Sequence, residues 1–250
     1  MVSGREFHRL SEDLRRRILS GDLALGDRLP SEPELALQYG VSRSTVREAL
    51  RVLESQNLVV TTRGATGGSW INHPNREQIA GYLETGFRLM TLALPNSSSG
   101  LSVLSVEGLL EARSIIEVPA AELAAERRSL PQLHAMELAL QTQEPNSEVH
   151  VMHRNFHDII FEASGNALLA TISLPIYAVI DERFIHDRAP ETMAIEVAHD
   201  HRRIYNAIRA KDVAEAGTAM REHLSHLHGV YMAMERTNIK AMDSTQTSSS

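Results

Sequence analysis

The sequence predicts a mostly α-helical protein: three short helices and a β-hairpin at the N-terminus, then an all-α bundle of six or seven helices. Three observations predict it. Between Leu29 and Ile71 two short helices with capping residues meet at a glycine turn and run into a pair of β-prone segments. From Val103 to Glu235 nearly every stretch carries apolar residues at helical spacing. The interruptions of that pattern fall at Pro, Gly and Asn, where helices end.

The first helix has Phe7, Leu10, Leu14 and Ile18 on one face, Arg15, Arg16 and Arg17 on the charged side, and Gly21 at its end. Ser31 is placed to cap the second helix, with Glu34 three residues on to complete a capping box. Gly40 ends that helix in the left-handed position that glycine tolerates. Ser42 then caps a third helix, whose core face is Val46, Ala49, Leu50 and Leu53. Arg43, Arg47 and Arg51 recur every four residues and so share a neighbouring, outward face. Ser42, Ser44 and Thr45 cluster with them at the helix N-terminus. Arginine forks match guanine edges, while small hydroxyls and a helix N-terminus suit phosphates. A charge stripe alone would be read as a solvated face; joined to a capped helix, a tight turn and a hairpin, it reads as a recognition helix. Leu58–Thr62 and Ser69–Ile71 are the β-prone segments, and the turn between them holds Arg63, Gly64, Gly67 and Gly68. The whole is a winged helix-turn-helix that closes near His73 and Pro74.

Behind it the spacing predicts a helix over 75–93, with Ile79, Leu83, Phe87 and Met90 on one side, and a polar loop at Asn96–Gly100. A long helix follows from Val103 to Arg127, with Leu109, Ala112, Ile116 and Ala120 as core and a bend at Pro119. Further helices are expected over Leu130–Gln143, Glu148–Ala163 and Leu168–His186, the last kinked at Pro175. Met193–Ala210 and Asp212–Glu235 form a final pair turning at Lys211. The expected organisation is 1–73 for the DNA-binding domain, 74–100 for a connecting helix and loop, 101–236 for the helical domain and 237–250 for a disordered tail.

Composition narrows the function. At 250 residues the chain is long enough for two domains. It has no cysteine, which excludes disulfides and thiolate metal sites. The N-terminus has no signal-like apolar core and no run reaches membrane-spanning length, so a cytoplasmic protein with no membrane partner is expected. The net charge of −7 argues against a chain that coats nucleic acid over its whole surface. Residues 1–72 are close to charge balance and the acidic excess lies beyond them, so DNA affinity has to come from a local arginine face.

These residues carry a family resemblance. LPSE at 29–32, VSRSTVREAL at 41–50 and the hairpin with Arg63-Gly64 resemble the winged helix-turn-helix of the GntR superfamily of bacterial transcription regulators. Pro33 stands where many members have an Arg that helps hold the DNA backbone. EARSIIEVPAAELAAER, Asn155-Phe156-His157, SGN at 164–166 and HDHRRIYNAIRAKDVAEAGTAMREHL resemble the FCD domain of the FadR-like subgroup. The resemblance covers about residues 6–235. It implies a homodimeric regulator, here expected to repress, that reads palindromic double-stranded operator DNA through Ser42, Arg43, Ser44, Thr45, Arg47, Arg63 and Gly64.

Ten of the twelve histidines lie beyond His73. His150, His153 and His157 fall on one helical stripe; His199 and His201 lie on the next-to-last helix, and His223, His226 and His228 on the last. Imidazoles from three helices of a bundle can hold a divalent metal. A helical His is as readily a surface or hydrogen-bonded core residue. The resemblance implies a ligand set of His153, His157, His201 and His223, with His153 standing where the family has Asp. Four neutral imidazoles leave a divalent site at +2 and favour Zn²⁺ or Ni²⁺ over harder ions; if His153 points away, three histidines and open positions remain. Open positions suit a small carboxylate effector. Arg113 is either a second contact for that anion or the partner of Glu117, one turn on. The alternative function is a metal-dependent hydrolase using the multi-His site, although no HExxH motif is present.

Overall fold

The computed structural model describes residues 2–64, 67–91, 104–141, 149–184 and 191–247, with side chains described except at 2–4, 149–154, 191–192 and 238–247. The chain divides into two compact units, Met1–Asn75 and Arg76–Ser250.

The first unit contains α1 (Val2–Leu19), α2 (Glu32–Tyr39), α3 (Arg43–Ser55), β1 (Val59–Thr62) and β2 (Gly68–Ile71). Leu10, Leu14 and Ile18 of α1 are buried against Leu35, Val46, Ala49, Leu50 and Leu53. Phe7 is only partly buried at the edge of this core. Ser31 precedes α2, and its backbone N–H and hydroxyl both donate to Glu34 Oε2 at 2.7 Å. These two bonds hold the Glu34 carboxyl below its ordinary pKa. Pro33 sits in the first turn, where a missing N–H costs no helical bond. Gly40 takes the left-handed conformation at φ 65° that turns the chain into α3. The Ser42 side chain caps α3 by accepting from the Thr45 N–H at 3.1 Å. Tyr39 ties α2 to α1, donating to Asp13 at 2.8 Å and accepting from Arg17 at 3.2 Å.

The hairpin is antiparallel, with Val59 opposite Ile71 and Thr62 opposite Gly68. Arg28 adds an isolated bridge to Trp70 that the sequence did not disclose. Its guanidinium lies 5.5 Å from the Trp70 ring centroid and donates to the Gly67 carbonyl at 2.5 Å. Gly67 is required here by backbone, and Gly68 leaves room for the Arg28 side chain. A Cβ on Gly68 would stand 2.8 Å from Arg28 Nε, and one on Gly67 would stand 2.4 Å from the Thr62 carbonyl.

The second unit is a bundle of α4 (Arg76–Thr91), α5 (Val106–Arg127), α6 (Leu130–Gln141), α7 (Val149–Ala163), α8 (Ala167–Phe184), α9 (Glu191–Ala210) and α10 (Val213–Thr247). α5 is its axis: α7, α8, α9 and α10 all pack against it. Ser105 caps α5 by accepting from the Gly108 N–H at 3.0 Å. The helix runs without interruption through Pro119, which is exposed. The carbonyl that Pro119 leaves unpaired belongs to Ile115, which is also exposed, so water can satisfy it. Lys211 turns α9 into α10 with a positive φ of 58°.

Three elements differ from expectation. On α4 the face toward α8 centres on Ala80, which is 5% exposed, while Ile79 is 38% exposed. A one-residue rotation of a short amphipathic helix is not resolved by spacing alone. α10 continues to Thr247, into the segment read as a tail from Thr237. No Gly or Pro interrupts 230–247, and several residues there are strong helix formers. Thr45, assigned to the DNA-facing surface, is 3% exposed, for it shares the inner side of α3 with Val46 and Ala49. The Asn96–Gly100 loop, the break at Pro145-Asn146 and the helix end at His186 lie outside the described residues.

Leu53 is fully buried where α3 meets α1. Leu53→Ala should destabilise the N-terminal unit by about 2–5 kcal/mol, read as a shift of its denaturant unfolding midpoint.

Candidate functional sites: an arginine face and a buried histidine cluster

On α3, Arg43, Arg47 and Arg51 are all exposed. Arg51 pairs with Glu48 at 2.7 Å and Arg47 lies 4.0 Å from Glu32. Arg43 has no ion-pair partner among the described residues. Pairs this exposed exchange readily for phosphate or base contacts. Ser42 and Ser44 sit at the start of the helix with their hydroxyls 2.7 Å apart. Arg63 and Gly64 are exposed at the hairpin tip, where Gly64 has φ 113°. The surface therefore combines a helix N-terminus, an arginine stripe and a shaped loop, without Thr45.

The bundle brings together His157 of α7, His201 of α9 and His223 of α10, each fully buried. One ligating nitrogen from each lies within 4.8 Å of the others. His157 Nε2 and His201 Nε2 are 3.2 Å apart. Two nitrogens bound to one Zn²⁺ at about 2.0–2.1 Å stand roughly 3.0–3.4 Å apart, so this pair already has ligand spacing. The His153 side chain lies outside the described residues.

Carboxylates hold the outer nitrogens. His157 Nδ1 lies 2.5 Å from Glu117 Oε2. His223 Nδ1 lies 3.3 Å from Asp200 Oδ2, which also takes His226 Nδ1 at 2.9 Å. Hydrogen bonds from those two imidazoles outweigh the desolvation of Asp200 and draw its carboxyl down to about 2. A proton on Nδ1 of a neutral His157 leaves the lone pair on Nε2, facing the cluster.

Arg113 takes the salt-bridge alternative. It is 1% exposed, donates through Nε to Glu117 Oε1 at 2.6 Å, and stacks its guanidinium 4.8 Å from the Tyr177 ring centroid. Burial opposes its charge, but the Glu117 carboxylate more than compensates and raises its pKa. Glu117 is likewise opposed by burial, yet Arg113 and His157 carry it far below the usual carboxylate range. Tyr177 and Tyr231 are buried nearby, and burial raises both phenols.

The family resemblance singled out these three from the histidines that spacing had grouped on three helices. Spacing named Glu117 only as a partner for Arg113, and it missed Asp200, which directly precedes His201. Both carboxylates look like ordinary helix charges until the bundle closes around them. Asn155, two residues before His157, is exposed.

An arginine-faced helix with a hairpin, on a chain that also carries a helical bundle with a buried polar cluster, defines a DNA-reading head joined to a sensing domain. The comparisons agree with that class. The model described as bacterial regulatory proteins, gntR family, matches residues 8–66, and that described as the FCD domain matches residues 108–226. The HTH-type transcriptional regulator LutR of Bacillus subtilis is 31% identical over 233 residues, covering 89% of this chain and 100% of its own. The HTH-type transcriptional repressor NanR of Klebsiella aerogenes is 26% identical, covering 93% and 87%. A solved Streptococcus agalactiae GntR structure is similar at 25% identity with a TM-score of 0.51, covering 88% and 98%. The chain belongs to the GntR family: it is a DNA-binding transcription regulator with an FCD effector-binding domain. The hydrolase alternative falls with that, because the matching families and relatives are regulators and not enzymes. Among the described residues no helix is long and apolar enough to cross a membrane.

Burial holds His201 well below its ordinary pKa of 6.5, with the His223, His157 and Arg113 charges adding to it. Burial also pushes His223 down to about 4, against the hydrogen bond it donates to Asp200. Between those values the unfolded chain binds more protons than the folded one, so folding stability is lost as pH falls. The melting temperature of the metal-free protein should drop as pH goes from 6.5 toward 4, and His201→Gln should flatten that slope.

Proposed function

We propose that this protein is a homodimeric repressor whose hold on a palindromic operator is set by a small carboxylate effector bound beside a divalent metal. The observation that carries the metal is the cluster of His157, His201 and His223: three buried imidazoles on three helices, two of them shifted toward the neutral form a metal requires. His153, one turn before His157 on α7, is the proposed fourth ligand. A bound ion would supply a Lewis-acid anchor for a carboxylate.

The charge of the cluster favours such an anion. The Arg113–Glu117 pair is neutral as a unit and Asp200 brings one negative charge, so a divalent ion among neutral histidines would leave about one positive charge away from water. An anionic effector relieves this. Arg113, locked to Glu117, contributes positive potential from behind rather than a direct contact. A second cleft, between α4, α5, α8 and α10, has less to recommend it, because Arg88 and Arg183 there are paired with Glu182 and Glu235. The donor set is nitrogen-rich, which suits Zn²⁺ or Ni²⁺.

At the DNA end, Arg43 and Arg47 reach base edges in the major groove. Ser42 and Ser44 meet phosphate beside the α3 N-terminus, and Arg63 and Gly64 follow the backbone or minor groove. Two copies reading one inverted repeat give the dimer its role. A protein working on bacterial DNA acts in the cytoplasm. The repressor assignment takes its support from the name of the Klebsiella relative. Effector control requires that the effector bind one of the two arrangements, DNA-free or DNA-bound, more tightly than the other.

In a mobility-shift assay on the protein's own promoter region, Arg43→Ala and Arg47→Ala should each abolish sequence-specific retardation; normal retardation by both would overturn the DNA reading. Purified protein should carry about one Zn²⁺ or Ni²⁺ per chain, and His153→Asp should move preference toward Mn²⁺ in competition titrations. An unchanged preference would remove His153 from the site.

A further inference from the structure

Glu117 and Arg113 are the only oppositely charged pair among the described residues with both side chains at 1% exposure. Burying such a pair confers little net stability, and hydrophobic replacements of similar volume often do as well. Its position is informative. Both residues lie on α5, one turn apart, and the carboxylate is divided between two partners. Oε1 accepts from Arg113 Nε at 2.6 Å, and Oε2 faces His157 Nδ1 at 2.5 Å. Arg113 is in turn held by the Tyr177 ring and hydroxyl, the latter at 3.5 Å from Nη2.

We propose that Glu117, clamped by Arg113, is a positioning residue for the metal site that fixes the tautomer and ring plane of His157 rather than coordinating the ion. This rests on the metal reading above. An imidazole that donates Nδ1–H to a carboxylate has its tautomer and ring plane set and becomes a stronger donor at Nε2. His157 Nε2 is the nitrogen that faces His201 Nε2 at 3.2 Å. The clamp explains why the carboxylate stays outside: with Oε1 engaged by Arg113, Glu117 is kept from swinging in as a ligand. Asp200 serves His223 differently, since it also takes the exposed His226 and is itself partly open to solvent. The Glu117 arm is the dry one, so its hold on the imidazole is screened less.

The test measures metal uptake by the full chain, stripped of metal and titrated with Zn²⁺ against a chromophoric chelator and with Co²⁺ by visible absorption. Glu117→Gln keeps a hydrogen-bond acceptor and removes the charge. Arg113→Met combined with Glu117→Gln removes the pair together and leaves no lone buried cation, which guards against a variant that does not fold. Circular dichroism confirms the fold of each before titration. Both variants should bind Zn²⁺ about 10–100-fold more weakly, with a changed Co²⁺ band. The rise in melting temperature on adding Zn²⁺ should shrink accordingly. Wild-type affinity and an unchanged Co²⁺ spectrum in a folded variant would overturn the proposal and reduce the pair to a packing element. A wild-type chain that takes up neither ion would instead sink the metal reading, and this one with it.

Discussion

The sensing bundle depends on one constraint: charged and ionisable groups have been taken out of water at its axis, and each has to be answered there. Arg113 is answered by Glu117, Glu117 by His157 as well, and His223 by Asp200. An unanswered charge in such a place costs several kcal/mol, so the helices carrying these side chains have little freedom in register. α5 brings the arginine and the glutamate, α7, α9 and α10 bring one imidazole each, and α8 brings Tyr177. A polar set divided among five helices fixes their mutual placement in a way that an apolar core, which accepts volume-conserving swaps, does not.

The N-terminal unit is held by simpler means. Its core is apolar throughout apart from Ser11 and Thr45, and its ends are fixed by short polar caps at Ser31 and Ser42. That difference suits the two tasks. A DNA reader has to present arginines from a rigid short helix. A sensor has to keep polar groups inside, where a ligand can alter their balance.

This division also decides what could be read from the sequence. Caps, the Gly40 turn and the α3 core face are local: each depends on residues within one or two turns, and each appears where spacing placed it. The three clustered histidines were legible through the family resemblance, which picked them from among the other histidines of the same helices. Glu117 and Asp200 were not, since nothing in the chain says which of many helical carboxylates will point inward; that is decided by how α5 and α9 rotate once packed. The same limit explains Ile79, where a one-residue rotation of α4 exchanged core and surface. Thr45 followed from a preference for hydroxyls near DNA, against a helical angle that put it beside Val46 and Ala49. The bridge from Arg28 to Trp70 joins residues far apart in the chain and left no local trace.

That bridge has a practical consequence. Trp70 is the sole tryptophan of the chain, and the Arg28 guanidinium lying over its ring is a nearby positive charge against the hairpin. Indole emission from this protein therefore originates wholly in the DNA-reading unit, with no background from the sensing bundle. Any shift in colour or intensity on adding a small molecule that binds the bundle would be a message received in the other unit, reported by an optical label that evolution has already installed.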